Sequence, residues 1–115
     1  MRMITINFYR SANGNEPVRE WLKALTKSDR KVVGDDLQTV QLGWQKGIIK
    51  EPLVKSFGNG LFEVRTPLTT RRIARILFCV EGNIIVLLHG FIKKTKKTPS
   101  PDLALAKKRQ KLVSR

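Results

Sequence analysis

The sequence predicts an α+β fold: a curved antiparallel sheet with a helical hairpin near the N-terminus and one helix at the C-terminus. Three observations predict it. Several short runs alternate apolar and polar residues at the strand period of two. Residues 17–45 instead repeat their apolar side chains every three or four positions. The chain then closes with a Ser100-Pro101-Asp102 start signal ahead of a basic, helix-compatible stretch.

Taken in order, MITINFY (3–9) alternates and is rich in β-formers, so it reads as a strand. SANGNEP is a turn. Pro17 suits the first position of a helix, and Val18, Leu22 and Leu25, with Trp21 beside them, give that helix an apolar face. Ser28 and Asp29 are suited to cap a second helix from about Arg30 to Gln45, in which Val33, Leu37, Val40 and Trp44 recur at helical spacing. Gly47 and Pro52 end it. LVKSF is a short strand and GNG a tight turn. LFEVRT sets Leu61, Glu63 and Arg65 on one face, with Phe62 and Val64 on the other. PLTT is a loop, and RRIARILFCV and IIVLLHGF are long strands on either side of the hairpin turn EGN. Ser100 caps the last helix, Pro101 takes its first position and Asp102 favours its N-terminal dipole. The order is β–α–α–β–β–β–β–α. Its 115 residues carry no internal repeat or linker, and a single domain over 1–115 is expected.

Charge limits the partners. Lys and Arg number 23 against 9 acidic residues, a formal net charge of +14. The excess is uneven: 10 bases and 7 acids precede Arg65, while 13 bases and only Glu81 and Asp102 occupy 65–115. A field of this kind draws polyanions, so nucleic acid is favoured over the simpler readings of a solubility device or a basic patch that meets an acidic protein. Cys79 is the one cysteine, which excludes an internal disulfide and fits a reducing cytoplasm. No apolar run is long enough to cross a bilayer, so no membrane partner is expected.

Strand parity places Ile73, Arg75, Leu77 and Cys79 on one face. Ala74, Ile76, Phe78 and Val80 lie on the other, which is purely apolar and should meet the helical hairpin. Arg75 is then expected on an open face, where it either contacts phosphate or pairs with Glu63 on the neighbouring strand. On the last strand Ile85, Leu87, His89, Phe91 and Lys93 are expected to share a face. If that face is the open one, Arg65, Arg75, His89 and Lys93 converge on one concave surface. One bulge would flip part of this register.

Cations and an imidazole with few carboxylates do not make a two-metal nuclease, and one histidine with one cysteine makes a poor zinc site, so neither metal nor cofactor is expected. RNA needs no metal to be cut. Its own 2′-OH attacks the adjacent phosphate once a base takes the proton, and arginines and lysines stabilise the charge that develops. The base would be His89 or a lysine, Lys93 or Lys94, with its pKa lowered by neighbouring cations. Phosphate contacts are expected of Lys55, Arg71, Arg72, Lys96, Lys97, Lys107 and Lys108. The plainer reading makes His89 an ordinary strand-end histidine and the lysines a solvated face.

LFEVRT, followed by RRIARILFCVEGNIIVLLHGFIKKTKKTPSPDLALAKKR, resembles the phage-derived Gp49-like branch of HigB toxins in the RelE/ParE superfamily. The likeness spans nearly the whole chain and is most specific in LLHGFIKKTKKTP. It implies a RelE-like fold and a ribosome-dependent mRNA endonuclease silenced by a cognate antitoxin, often a helix-turn-helix protein. It also implies active-site roles for Arg65, Arg75, His89, Lys93 and Lys94. Two rivals stand beside it: a ParE-like toxin that binds gyrase and has no nuclease chemistry, and a passive basic RNA-binding domain.

Overall fold

The computed structural model describes residues 3–48 and 52–113. Along the chain come β1 (Thr5–Phe8), α1 (Pro17–Ala24), α2 (Lys27–Lys46), β2 (Val54–Gly58) and β3 (Leu61–Pro67). A short 3-10 turn (Thr69–Arg71) leads into β4 (Ile73–Glu81), β5 (Ile84–Lys93) and α3 (Ser100–Val113). The five strands form one sheet in the order β1-β5-β4-β3-β2. All pairings are antiparallel except that of β1 with β5, which is parallel. Two of the three helices form the expected N-terminal hairpin and the third is C-terminal, so the α+β expectation holds, with one parallel edge strand added.

The hairpin is held by its own caps. α2 starts earlier than Ser28 and Asp29 suggested: Thr26 is the N-cap, its hydroxyl accepting from the Asp29 amide at 3.1 Å. Asp29 is used elsewhere, as shown below. Arg30 donates to the carbonyls of Leu22, Lys23 and Leu25, closing the orphan C-terminal end of α1. Gly47, at φ 72°, ends α2 in the left-handed conformation that only glycine adopts readily. At the other end of the chain α3 begins at Ser100, within one residue of the expected start.

Two cores lie on opposite faces of the sheet. Against the hairpin, Val18, Val33 and Val40 meet Val64, Ala74, Ile76, Phe78, Ile85 and Leu87. Trp44 meets the Phe62 and Phe78 rings edge-on, with centroids 4.8 and 5.6 Å away. Each such side chain, fully buried, contributes about 1.5–3 kcal/mol by leaving water. Gly90 lets α1 approach: a Cβ there would stand 2.6 Å from the Trp21 ring, so the glycine of HGF is a packing requirement. On the opposite face Tyr9, Leu61, Leu77, Cys79, Val86, Leu88 and Phe91 pack with Ala106 of α3. The expected open surface is therefore covered by α3 where it crosses β4 and β5.

Register places the histidine. Phe78 pairs with Leu87 and Leu77 with His89, which leaves Leu88 as a bulge. The bulge breaks the parity expected for β5. Ile85 and Leu87 face the hairpin, whereas His89 and Phe91 face α3. The expectation that these residues share one face is corrected accordingly. The bulge turns His89 onto the face that carries Arg75 and Arg65. The Leu88 carbonyl accepts from Arg109 of α3 at 2.7 Å, and the Arg109 guanidinium also sits 5.2 Å from the Tyr9 ring centre.

Candidate functional site

The site is built where β3, β4 and β5 run under the basic segment 93–99 and the first turn of α3. Glu63 and Arg65, two residues apart on β3, project to the same side. Arg65 Nε donates to Glu63 Oε1 at 2.6 Å, and the buried Thr98 hydroxyl donates to Glu63 Oε2 at 2.7 Å. Glu63 is fully buried, and the Arg65 side chain keeps 23% of its exposure. A buried carboxylate is sustained only by such partners.

Arg75 is corrected outright. It is among the largest fully buried side chains of the molecule, not a group on an open surface. Its two Nη groups donate to backbone carbonyls of the lysine-rich segment, Nη1 to Lys97 at 3.0 Å and Nη2 to Thr95. The anticipated pair with Glu63 is not a hydrogen bond, although Glu63 is close enough to attract the guanidinium. Burial pushes Arg75 below its ordinary pKa, Glu63 opposes this and Arg65 adds to it. The reason for the misplacement is physical: residues 94–99 fold back over the strand and supply carbonyls that alternation within β4 does not reveal. Among the described residues Arg65 Nη2 and Arg75 Nε are buried with no hydrogen-bond partner. Unmade bonds of this kind cost about 1–3 kcal/mol each.

His89 lies at the edge of this cluster, its ring stacked on Phe91 with centroids 5.4 Å apart. Its Nε2 is 2.7 Å from Asp102 Oδ1, and both side chains are 18% exposed. From the sequence, Asp102 is expected only to favour the dipole of α3. The pairing is invisible in the sequence because it depends on the β5 bulge and on where α3 lands. A carboxylate on one ring nitrogen fixes the imidazole's orientation and leaves Nδ1 to accept a proton.

The other expected residues divide in two. Arg71, Lys93, Lys94, Lys96, Lys97, Lys107 and Lys108 are exposed and Lys55 is half-buried, all accessible to a polyanion. Arg72 is not. Its guanidinium holds Asp29 with Nη1–Oδ2 at 2.9 Å and Nη2–Oδ1 at 3.3 Å, and it also binds Thr69 and Thr70. Arg72 braces the β3–β4 turn against α2, and this ion pair competes with the phosphate contact expected of it. That turn carries Thr70 and Arg71 at φ 59° and 60°, a conformation unfavourable for a β-branched residue, which the Arg72 contacts stabilise. Cys79 is buried, which pushes its thiol up to about 11 and removes it as a nucleophile. Among the described residues no three His, Cys, Asp or Glu side chains come together in a group that could hold a metal ion. Nor is any helix long and apolar enough to cross a membrane.

The curved, mostly antiparallel sheet with its hairpin and C-terminal helix is consistent with the RelE-like fold, and its basic face carries the site. Residues 20–111 match the family model of the phage derived protein Gp49-like proteins (DUF891), and the chain belongs to that family. The family falls in the RelE/toxin-like group and is associated with the toxins of toxin–antitoxin systems, which implies an antitoxin partner. No curated protein matches the sequence.

Proposed function

We propose that this chain is a HigB-like toxin that cuts messenger RNA on the ribosome without a catalytic metal. The observation that carries the reading is the His89–Asp102 pair, an oriented imidazole at the edge of a face rimmed with lysines. His89 Nδ1 takes the proton of a 2′-OH, and the 2′-oxygen attacks the neighbouring phosphorus. The 5′-oxygen leaves as it takes a proton from the Lys93 or Lys94 ammonium, which solvent later restores, giving a 2′,3′-cyclic phosphate and a 5′-OH end. Arg65, and Lys93 or Lys94, stabilise the charge that builds on the phosphate oxygens. Arg75 acts at one remove as a positioning residue: it holds the Thr95 and Lys97 carbonyls and so sets the path of the lysines. A helix-turn-helix antitoxin would keep the site shut in the resting cell.

The test is induced expression without the antitoxin, with RNA 5′ ends mapped within minutes. New 5′-OH ends confined to translated messages are expected. Intact messages with arrested replication would replace this reading with gyrase poisoning, and no growth arrest would reduce the protein to a passive binder.

A further inference from the structure

A second feature of the same sheet face lies away from His89. Between the β2–β3 turn and the C-terminal half of α3 there is a cleft of about 430 Å³ lined by Phe57, Asn59, Leu61, Lys107, Gln110 and Lys111. Its volume falls within the range of ligand-holding pockets. Two lysines line it and no acidic residue does. The half-buried Phe57 lines one wall; Lys55 Nζ lies over one face of its ring, 5.3 Å from the centre, which leaves the opposite face for a base. The turn is tight: Gly58, Asn59 and Gly60 all have positive φ, and Gln110 Nε2 ties it to α3 by donating to the Asn59 carbonyl at 2.9 Å.

We infer that this cleft is a nucleotide subsite, in which one base of a single-stranded RNA stacks on Phe57 while Lys107 and Lys111 hold its flanking phosphates. An aromatic platform beside cations and amide groups is what sequence-tolerant single-strand recognition requires. The place fits a strand that also reaches His89. Lys107 and Lys111 lie five and nine residues beyond Asp102 on α3, about 8–14 Å along the helix at 1.5 Å per residue. At the ~3.4 Å rise of a stacked strand that is about two to four nucleotides. The inference deepens the nuclease reading and rests on it for the identity of the strand.

The experiment is fluorescence anisotropy of the purified full chain with a short 2′-methoxy oligoribonucleotide, which lacks the nucleophile and cannot be cut. Phe57→Leu keeps apolar volume at the ring's position and removes the stacking face. It should weaken binding by about 5- to 100-fold. An oligonucleotide with one abasic position, moved along the strand, should lose a similar factor on the native protein at one position and little on Phe57→Leu. Lys107→Ala with Lys111→Ala, on the exposed surface of α3, should lower the slope of log affinity against log salt by about 1.4, close to 0.7 per phosphate contact. Equal abasic sensitivity of the native and Phe57→Leu proteins would overturn the subsite. So would protection of Lys107 and Lys111 from acetylation by an acidic peptide but not by RNA, which would make the cleft a protein-docking surface. The nuclease reading fails separately: messages would stay intact in cells while the Phe57 coupling to the abasic strand persists.

Discussion

The two faces of the sheet are built on opposite principles. The hairpin face is filled by Val, Ile, Leu and aromatic side chains that need only shape and apolar area. The α3 face buries Glu63, Arg75 and Thr98 among its apolar residues and sets His89 and Asp102 at its margin. β4 shows the contrast within one strand: Phe78 and Arg75 are both fully buried, on opposite sides. The first face stabilises the fold through dispersion and desolvation. The second accepts buried charge and two unpaired guanidinium N–H groups. Apolar packing and buried charge are thus divided between the two sides of a single layer.

The largest expected effect belongs to the α3 face. His89→Ala should slow single-turnover cleavage at saturating ribosome by about 10²–10⁴-fold, with ribosome affinity nearly unchanged. Normal single-turnover cleavage would move the proton transfer to Lys93 or Lys94. Arg65→Ala should remove about 10²–10³-fold from the same rate, the usual loss for one transition-state stabiliser.

A paired experiment breaks the comparison directly. Phe78→Ala should lower unfolding free energy by about 3–5 kcal/mol through the cavity it leaves. Arg75→Ala should lose about as much, about 3–5 kcal/mol, because Glu63 loses one of its two neighbouring cations and two carbonyls lose their donors. Denaturant melts measure both. The variants part in hydrogen exchange: Arg75→Ala should expose the amides of residues 94–98, and Phe78→Ala should leave that segment as protected as in the native protein. A native-like segment in Arg75→Ala would refute the tether.

A smaller effect is set by pH. The Arg72 guanidinium, bonded to Asp29, holds the Asp29 carboxyl below the usual carboxylate range, against a smaller opposing effect of burial. A depressed native value means the contribution is fully present above the unfolded value, about pH 4, and is lost as pH falls through the native one. The stability gap between the native protein and Asp29→Asn should therefore be widest at neutral pH and close on acidification. A gap that stays constant down to pH 2 would remove the ion pair as its cause. Smallest of all, Lys96→Ala should flatten the salt dependence of RNA binding by a slope of roughly 0.7–0.9 and leave bound-state cleavage alone.

Much of this architecture is legible in local pattern. Alternation in LFEVRT places Phe62 and Val64 on the hairpin side and Leu61 and Glu63 on the other, as the two cores record. The apolar set Ala74, Ile76 and Phe78 likewise meets the helices. The site is less legible, for three reasons of one kind. Leu88 bulges because of how β5 meets β4, and no residue type in LLHGF signals it. Arg75 is buried by carbonyls about twenty residues downstream. Asp102 finds His89 only when α3 docks. Each depends on contacts between elements, which periodicity within an element does not encode. Arg72 differs: its partner Asp29 lies 43 residues upstream, so its basic character alone gave no warning that it was already engaged.

The parallel pairing of β1 with β5 has a meaning for how the molecule is born. Thr5 and Phe8 find their partners at Ile84 and Leu87, nearly eighty residues later. Closing so distant a contact is slow, and during synthesis it must wait until the last strand has left the ribosome. The carboxylate that orients His89 is made later still. A nascent chain stalled anywhere before Asp102 holds the histidine without its partner, so vectorial synthesis completes the His89–Asp102 pair among the last folding events.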